Sequence, residues 1–342
     1  MFTRLLQKLA AREDLTTDEA AAAMAEIMAG RAAPASIAGL LVALAMKGER
    51  PAEIVGFAQT MRHEAVPFST DGRAVFDTCG TGGDRAGTFN ISSAAALVVA
   101  ACGVPVAKHG NRSVSSQCGS ADVLEALGVN IGASPDTTAR CLHEAGIAFL
   151  FAPTFHPSMR HAAPTRRELG VRTAFNLLGP LTNPARPKRQ LVGVPRPELT
   201  ELLARALQLL GSERAWVVHG ADGLDEISLT GYTKVSECRG DTVHTFYVHP
   251  ADFGLRKAPA AALAGGDAQQ NAAAIRRVLA GEPGPQRDVV LLNAGAALFI
   301  AGTAPSVESG IAVASRAIDN GSAERTLSRL VTTSQVAAGE PA

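Results

Sequence analysis

Aromatic residues are scarce: tryptophan, tyrosine and phenylalanine together make up 4% of the 342 residues. Alanine, valine and leucine must therefore fill most of the core, which a hydrophobic fraction of 46% makes large enough for a globular chain. Neither charge sign is in excess, with 32 basic and 32 acidic residues. Bulk binding to nucleic acid or to an anionic membrane draws no support from that balance. No apolar run is long enough to span a bilayer; Ile37 to Met46 and Ala94 to Cys102 are typical. The first residues lack a charged, apolar and cleavable series, and Glu13 and Asp14 interrupt them early. No CxxC pair occurs among Cys79, Cys102, Cys118, Cys141 and Cys238. An odd, scattered set fits reduced thiols better than a disulfide framework or a zinc site, and a cytoplasmic setting is expected.

What the chain does contain is a dense polar segment, KHGNRSVSSQCGS, from Lys108 to Ser120. It lies between a strand-like run, Val104 to Ala107, and a helix-like run, Ala121 to Leu127. Serine hydroxyls, glycine N–H groups and a helix start can surround phosphate oxygens, while Lys108 and Arg112 supply charge. A second loop of this kind, CGTGGD, covers Cys79 to Asp84. Glycines there let the backbone approach a ligand, and Asn90 and Ser92 downstream are good N-cap types. The spacing matches neither a Walker A loop nor GxGxxG. A single glycine-rich turn is as often an unliganded strand-to-helix turn. The pair, at the ends of neighbouring strands, favours a ligand carrying more than one phosphate.

The first seventy or so residues read as helices only. Thr16 with Glu19 forms a capping box, Pro34 and Pro51 suit first turns, and Gly30 and Gly48 suit stops. Ile37, Leu40, Leu41 and Leu44 make an apolar stripe that reads as a small core, with a face broad enough to pair subunits as the alternative. From Val75 onward short β-like runs alternate with helices: Val75–Asp77, Val104–Lys108, Ile147–Ala152, Leu191–Val194 and Ala215–His219. A hairpin joins Thr233–Cys238 to Thr242–Val248. This alternation predicts an α/β class with a mostly parallel central sheet flanked by helices. Helices are expected at Gln269–Ala280 and Val290–Ala301, and a polar helical insertion at 158–185.

Asp225 and Glu226, in GADGLDEIS, follow the run ending at His219. In a turn beyond a strand both carboxylates can reach one magnesium ion, with phosphate oxygens completing its shell. An isolated Asp-Glu pair would be an ordinary acidic turn; polyanion loops upstream favour the metal. Arg166 and Arg167 lie on the inserted helix, where a solvated face is the default and an inward guanidinium could clamp a carboxylate. His63, His143, His244 and His249 have no metal-ligand spacing. Cys79 and Cys118 have no base beside them and read as packing residues.

CGTGGD, TFNISSAAA, KHGNRSVSSQCGSADVLEALG, RTAFNLLGPLTNPA and DGLDEIS, in this order, closely resemble the anthranilate phosphoribosyltransferase family over nearly the whole chain. The resemblance implies a small all-helical domain (1–70 with 158–185) that dimerises the protein, and a larger α/β domain (71–157 with 186–342). It implies a glycosyltransferase of tryptophan biosynthesis that joins phosphoribosyl pyrophosphate (PRPP) to anthranilate. Gly80, Gly83, Asp84, Thr88, Asn90, Ile91, Ser92 and Ser93 match PRPP positions. So do Lys108, His109, Gly110, Asn111, Arg112, Ser113, Val114, Ser115, Ser116 and Ser120. Gly80, Asn111 and Arg166 match anthranilate positions, with His109 and His156 near the ring. Ser92, Asp225 and Glu226 match magnesium positions, for about two ions per chain. No catalytic acid, base or nucleophile is expected. A same-fold pyrimidine nucleoside phosphorylase is the runner-up, though its lysine-serine-glycine segment differs from KHGNR. A non-catalytic nucleic-acid-binding relative is the alternative from another class; it should show a basic groove and lose Arg166 or the acidic pair.

Overall fold

A computed structural model describes residues 1–84, 86–113 and 117–336. Four helices come first: α1 (Phe2–Ala10), α2 (Thr17–Met28), α3 (Pro34–Lys47) and α4 (Pro51–His63). The Thr16–Glu19 capping box forms: Thr16 Oγ1 accepts from the Glu19 N–H and Glu19 Oε2 from the Thr16 N–H. Ile37, Leu40, Leu41 and Leu44 are buried, so the stripe is consumed by the core of the helical body. Each such side chain contributes roughly 1.5–3 kcal/mol.

The alternating region builds β1 (Phe76–Gly80), α5 (Ile91–Ala101), β2 (Val106–Gly110), α6 (Ser120–Ala126), α7 (Pro135–Ala145) and β3 (Ile147–Phe151). The short α8 (Ala152–Phe155) and α9 (Ala163–Leu169) follow, then single 3-10 turns up to Leu181. Phe175, Leu177, Leu178 and Leu181 of this insertion share a core with α2, α3 and α4. The chain then returns to the sheet through β4 (Arg189–Gly193), α10 (Leu199–Leu209) and β5 (Arg214–Gly220), and closes it with the hairpin β6 (Thr233–Arg239) and β7 (Thr242–Val248). Last come α11 (Ala268–Leu279), α12 (Pro285–Ala301), α13 (Val307–Asp319) and α14 (Ser322–Ser334).

The seven strands lie in the order β3-β2-β1-β4-β5-β6-β7. The first five pair in parallel and the hairpin is antiparallel. Strand order reverses between β1 and β4, so a crevice opens beyond their carboxyl ends. Strand β1 runs past the expected Asp77 to Gly80, because the polar Thr78 and the glycine still pair with Leu191 and Gly193 of β4. No helix of the described residues is long and apolar enough to cross a membrane.

Candidate active site

The crevice at the strand reversal is a cavity of about 950 Å³. Every expected site residue within the described stretches lines it, from Gly80 to Glu226. Val114, Ser115 and Ser116 lie outside the described residues.

The loop carrying Asp225 and Glu226 follows β5 and folds across the ends of β1 and β4. Glycine is required beneath it. A Cβ on Gly193 would overlap the Asp225 backbone, and one on Gly80 would stand 2.5 Å from Asp225 Oδ2. The Gly82 N–H donates to Asp225 Oδ2 at 3.0 Å. The neighbouring carboxylate turns elsewhere: the Ser92 N–H, in the first turn of α5, donates to Glu226 Oε1 at 3.1 Å. A helix start is a favourable place for a negative charge. Burial, then the nearby Asp84 and Glu226 carboxylates, push Asp225 well above the usual carboxylate range. Burial pushes Glu226 up as well, against the pull of Lys108. A cluster of carboxyls held above its ordinary range binds a cation readily, because the cation stabilises the charged form.

Several of these side chains also have partners within the protein. Lys108 is buried, donating to the Thr78 carbonyl and, at 3.3 Å, to Ser92 Oγ. It is the internal counter-charge of Asp77 and Glu226. Arg112 turns its guanidinium onto Asp122 and Glu125 of α6, at 2.9 and 2.8 Å. Asn90 starts α5 without capping it by its side chain. Its amide instead donates to the Cys118 carbonyl at 3.2 Å and accepts from Asn271 of α11 at 3.0 Å. Ser120 Oγ donates to the Asn111 carbonyl at 3.4 Å, which folds the second loop back on the start of α6. Thr88 bridges to Ala264, closing the far rim.

The opposite wall comes from the insertion and His156 just before it, with His109 of β2 bonded across to it. The Arg166 guanidinium stands 5.0 Å above the Phe175 ring, and among the described residues no carboxylate pairs with it. His109 and His156 meet edge to face at 5.2 Å. His109 Nδ1 bonds the Gly179 carbonyl at 2.9 Å, so Nδ1 carries the proton. Burial and the neighbouring His156 hold His109 down to about 3; burial holds His156 down to about 4. Both rings are neutral at pH 7. His109 Nε2, His156 Nε2, Thr81 Oγ1 and Ser93 Oγ are buried without a partner among the described residues, and all four residues line the cavity.

Cys79 and Cys118 are no nucleophiles: burial pushes both thiols up, Cys118 to about 11. The described residues bring no three acidic, histidine or cysteine side chains into one ready-made metal cage.

Sequence reasoning missed Arg172, Phe175, Asn176, Gly265, Gly266 and Asn271, all of which line the cavity. Arg172 reaches across from the insertion and lies against Gly83. The RTAFN string contains it, and that string was the available signal. Nothing near Asn271 in the chain marks it. Also unassigned was the buried Asp77, which accepts from Asn183 Nδ2 at 2.9 Å and from the His109 N–H at 3.4 Å.

A helical bundle set on an α/β half, with a polar cleft at the strand reversal, is the architecture of a glycosyl transferase family. Residues 3–65 match that family's helical bundle domain and residues 72–324 its a/b domain. Within it, the chain belongs to the anthranilate phosphoribosyltransferases. It is 55% identical to the anthranilate phosphoribosyltransferase of Moorella thermoacetica, over 97% of this chain and 98% of the relative. It superposes on the crystal structure of the Thermus thermophilus enzyme with a TM-score of 0.92 at 47% identity, covering 97% and 99% of the two chains. The Saccharomyces cerevisiae enzyme in complex with PRPP and Mg matches with a TM-score of 0.89 at 26% identity, covering 97% of each chain. The yeast enzyme has also been solved with 4-fluoroanthranilate.

Proposed function

We infer that this cavity divides its two substrates between its two walls. The reaction is the transfer of the phosphoribosyl group from PRPP to the amino nitrogen of anthranilate, giving N-(5-phosphoribosyl)anthranilate and pyrophosphate. It is the second step of tryptophan biosynthesis from chorismate. The observation that carries the division is the contrast of walls: carboxyls and backbone N–H groups on the sheet side, and on the other a guanidinium over a ring with no carboxylate partner among the described residues.

PRPP lies along the sheet side, over Gly80, Gly83, Asp84, Thr88, Asn90–Ser93, Lys108–Ser113 and Ser120. Loop N–H groups receive its phosphate oxygens. Asp225, Glu226 and Ser92 would hold magnesium, about two ions per chain. The donor set fits: hard oxygens, two of them in carboxyls raised by burial. When bound, the metal neutralises charge that builds on the leaving pyrophosphate. Anthranilate lies on the insertion side, its carboxylate on Arg166, its ring against His109 and His156, with Gly80 and Asn111 where the substrates meet. An aromatic amine is neutral near pH 7, so attack at C1 of the ribose needs no strong base. The neutral imidazoles bring no charge of their own to the nucleophile. Residues placed on both sides hold nitrogen and C1 in line, and exclusion of water strengthens each polar contact. The insertion belongs with residues 1–70 as one helical domain, which pairs two copies of the chain in a cytoplasmic homodimer.

Mixing the purified protein with PRPP, magnesium and anthranilate, and following loss of anthranilate fluorescence, tests the reading. Turnover dependent on all three is expected; no turnover by folded protein refutes it.

A further inference from the structure

Away from the catalytic cavity, a pocket of about 400 Å³ opens where the end of α4 meets the linker into β4 and the end of α10. Arg62 and His63 line one side of it, Arg186 and Lys188 a second, Leu209 and Leu210 a third. Three of the four basic side chains bond only to backbone carbonyls. Arg62 Nε donates to Leu181 at 2.6 Å, Arg186 Nη2 to Arg62 at 3.1 Å and Lys188 Nζ to Gly211 at 2.9 Å. Among the described residues none of the four has an acidic partner, although nearby Arg189 pairs with Glu213 at 3.2 Å. Glu64, next in the chain to His63, forms no ion pair with them.

Cations near helix carbonyls are ordinary, since they complement the helix dipole. That accounts for one N–H of each side chain. It leaves unexplained why like charges gather around an open volume. Burial and the Arg186 charge together hold Arg62 down to about 10, which marks the crowding as unfavourable without a counter-ion. Arg186 also holds φ at 48°, a left-handed conformation that residues other than glycine rarely adopt and that clusters at ligand sites. The turn from Asn183, whose carbonyl accepts the Arg186 N–H at 3.0 Å, holds the residue there.

We propose that this pocket is a second anion site, separate from the catalytic cavity, that takes a small multivalent phosphate anion of the pyrophosphate class. Its volume suits a small molecule, not a chain segment. Guanidinium groups from α4 and from the linker bind phosphate oxygens through several N–H groups at once. The bound anion ties α4 of the helical body to the linker that enters β4.

Calorimetric titration with inorganic pyrophosphate, without magnesium, tests this on the full-length wild type, on Arg186→Gln/Lys188→Gln and on Gly80→Ala. Both replaced side chains of the double variant are exposed and outside the catalytic machinery, so its fold and kcat should remain those of the wild type. The expected result is pyrophosphate binding to wild type and Gly80→Ala that weakens about tenfold or more in the double variant. Binding unchanged in the double variant, binding lost only in Gly80→Ala, or no binding at all overturns the proposal. A melting curve without anion separates lost binding from lost folding. Turnover is read independently, so failure here leaves the transferase reading where it stood.

Discussion

The two walls of the catalytic cavity solve opposite problems. The sheet wall holds an excess of fixed donors and buried carboxyls: Gly82 and Ser92 N–H groups point at Asp225 and Glu226, and Lys108 sits beneath them as internal counter-charge. Such a wall suits a polyanion bridged by cations, because each charge has an opposite within reach. Facing it, the insertion carries the Arg166 guanidinium over Phe175, with no carboxylate partner among the described residues, beside Arg160 and Arg172, and the His156 and β2 His109 imidazoles there are kept neutral by burial. It suits a flat molecule with one carboxylate and an uncharged amine. The proposed division sorts two anionic substrates by charge density: many fixed donors and carboxyls on one side, a ring-stacked guanidinium beside neutral imidazoles on the other. It also makes the assignment separable by mutation.

The sharpest break comes on the sheet wall. In Asp225→Asn with Glu226→Gln the magnesium-dependent kcat/KM should fall at least a hundredfold or so, comparable to removing a charge-stabilising group from an active site. A double variant with wild-type magnesium dependence would remove the pair from the metal site. A smaller and one-sided effect is expected across the cleft. Arg166→Ala loses a charge-assisted pair of about 1.5–3 kcal/mol, so the KM for anthranilate should rise about tenfold to a hundredfold. The KM for PRPP should stay within about twofold of wild type. Equal rises in both would erase the contrast between the walls.

The same contrast explains how far the chain could be read from sequence. The sheet wall was legible because its parts are contiguous: CGTGGD and KHGNRSVSS each place many donors in one loop, directly after an apolar run. The alternating region was legible for the same local reason. The insertion wall was legible only through family resemblance, since nothing in local spacing turns Arg166 inward rather than Arg167. What no window reveals is pairing at long range. Asn90 with Asn271, Asp77 with Asn183 and Arg172 with Gly83 join residues from 89 to 181 positions apart or so, and each is a single polar side chain in an ordinary context. Lys108 and Arg112 show the converse. Their residue types suggest phosphate contacts, and long-range partners that no window reveals hold them: Arg112 pairs with Asp122 and Glu125, and Lys108 donates to the Thr78 carbonyl and Ser92 Oγ. Helices α13 and α14 were not anticipated, because glycine, serine and threonine dilute their apolar pattern.

The gentlest test concerns the neutral imidazoles, through acid stability. His156 is held down to about 4, whereas an unfolded histidine titrates near 6.5. Between those values the unfolded chain binds more protons than the folded one, so this residue makes stability rise with pH and fall as the solution is acidified. His156→Gln removes that term. Other groups titrate in the same range: burial raises Asp77 to about 6, which acts in the opposite direction. A difference between variant and wild type cancels it. Melting temperatures measured from pH 7 down to pH 4 should therefore fall less steeply in His156→Gln, by a few degrees over the interval. Parallel curves would mean that His156 titrates alike in the folded and the unfolded chain, so that burial does not hold the ring neutral in acid. The ring would then gain a positive charge beside Arg166 on mild acidification, and the uncharged surface that distinguishes this wall from the sheet wall would be lost there.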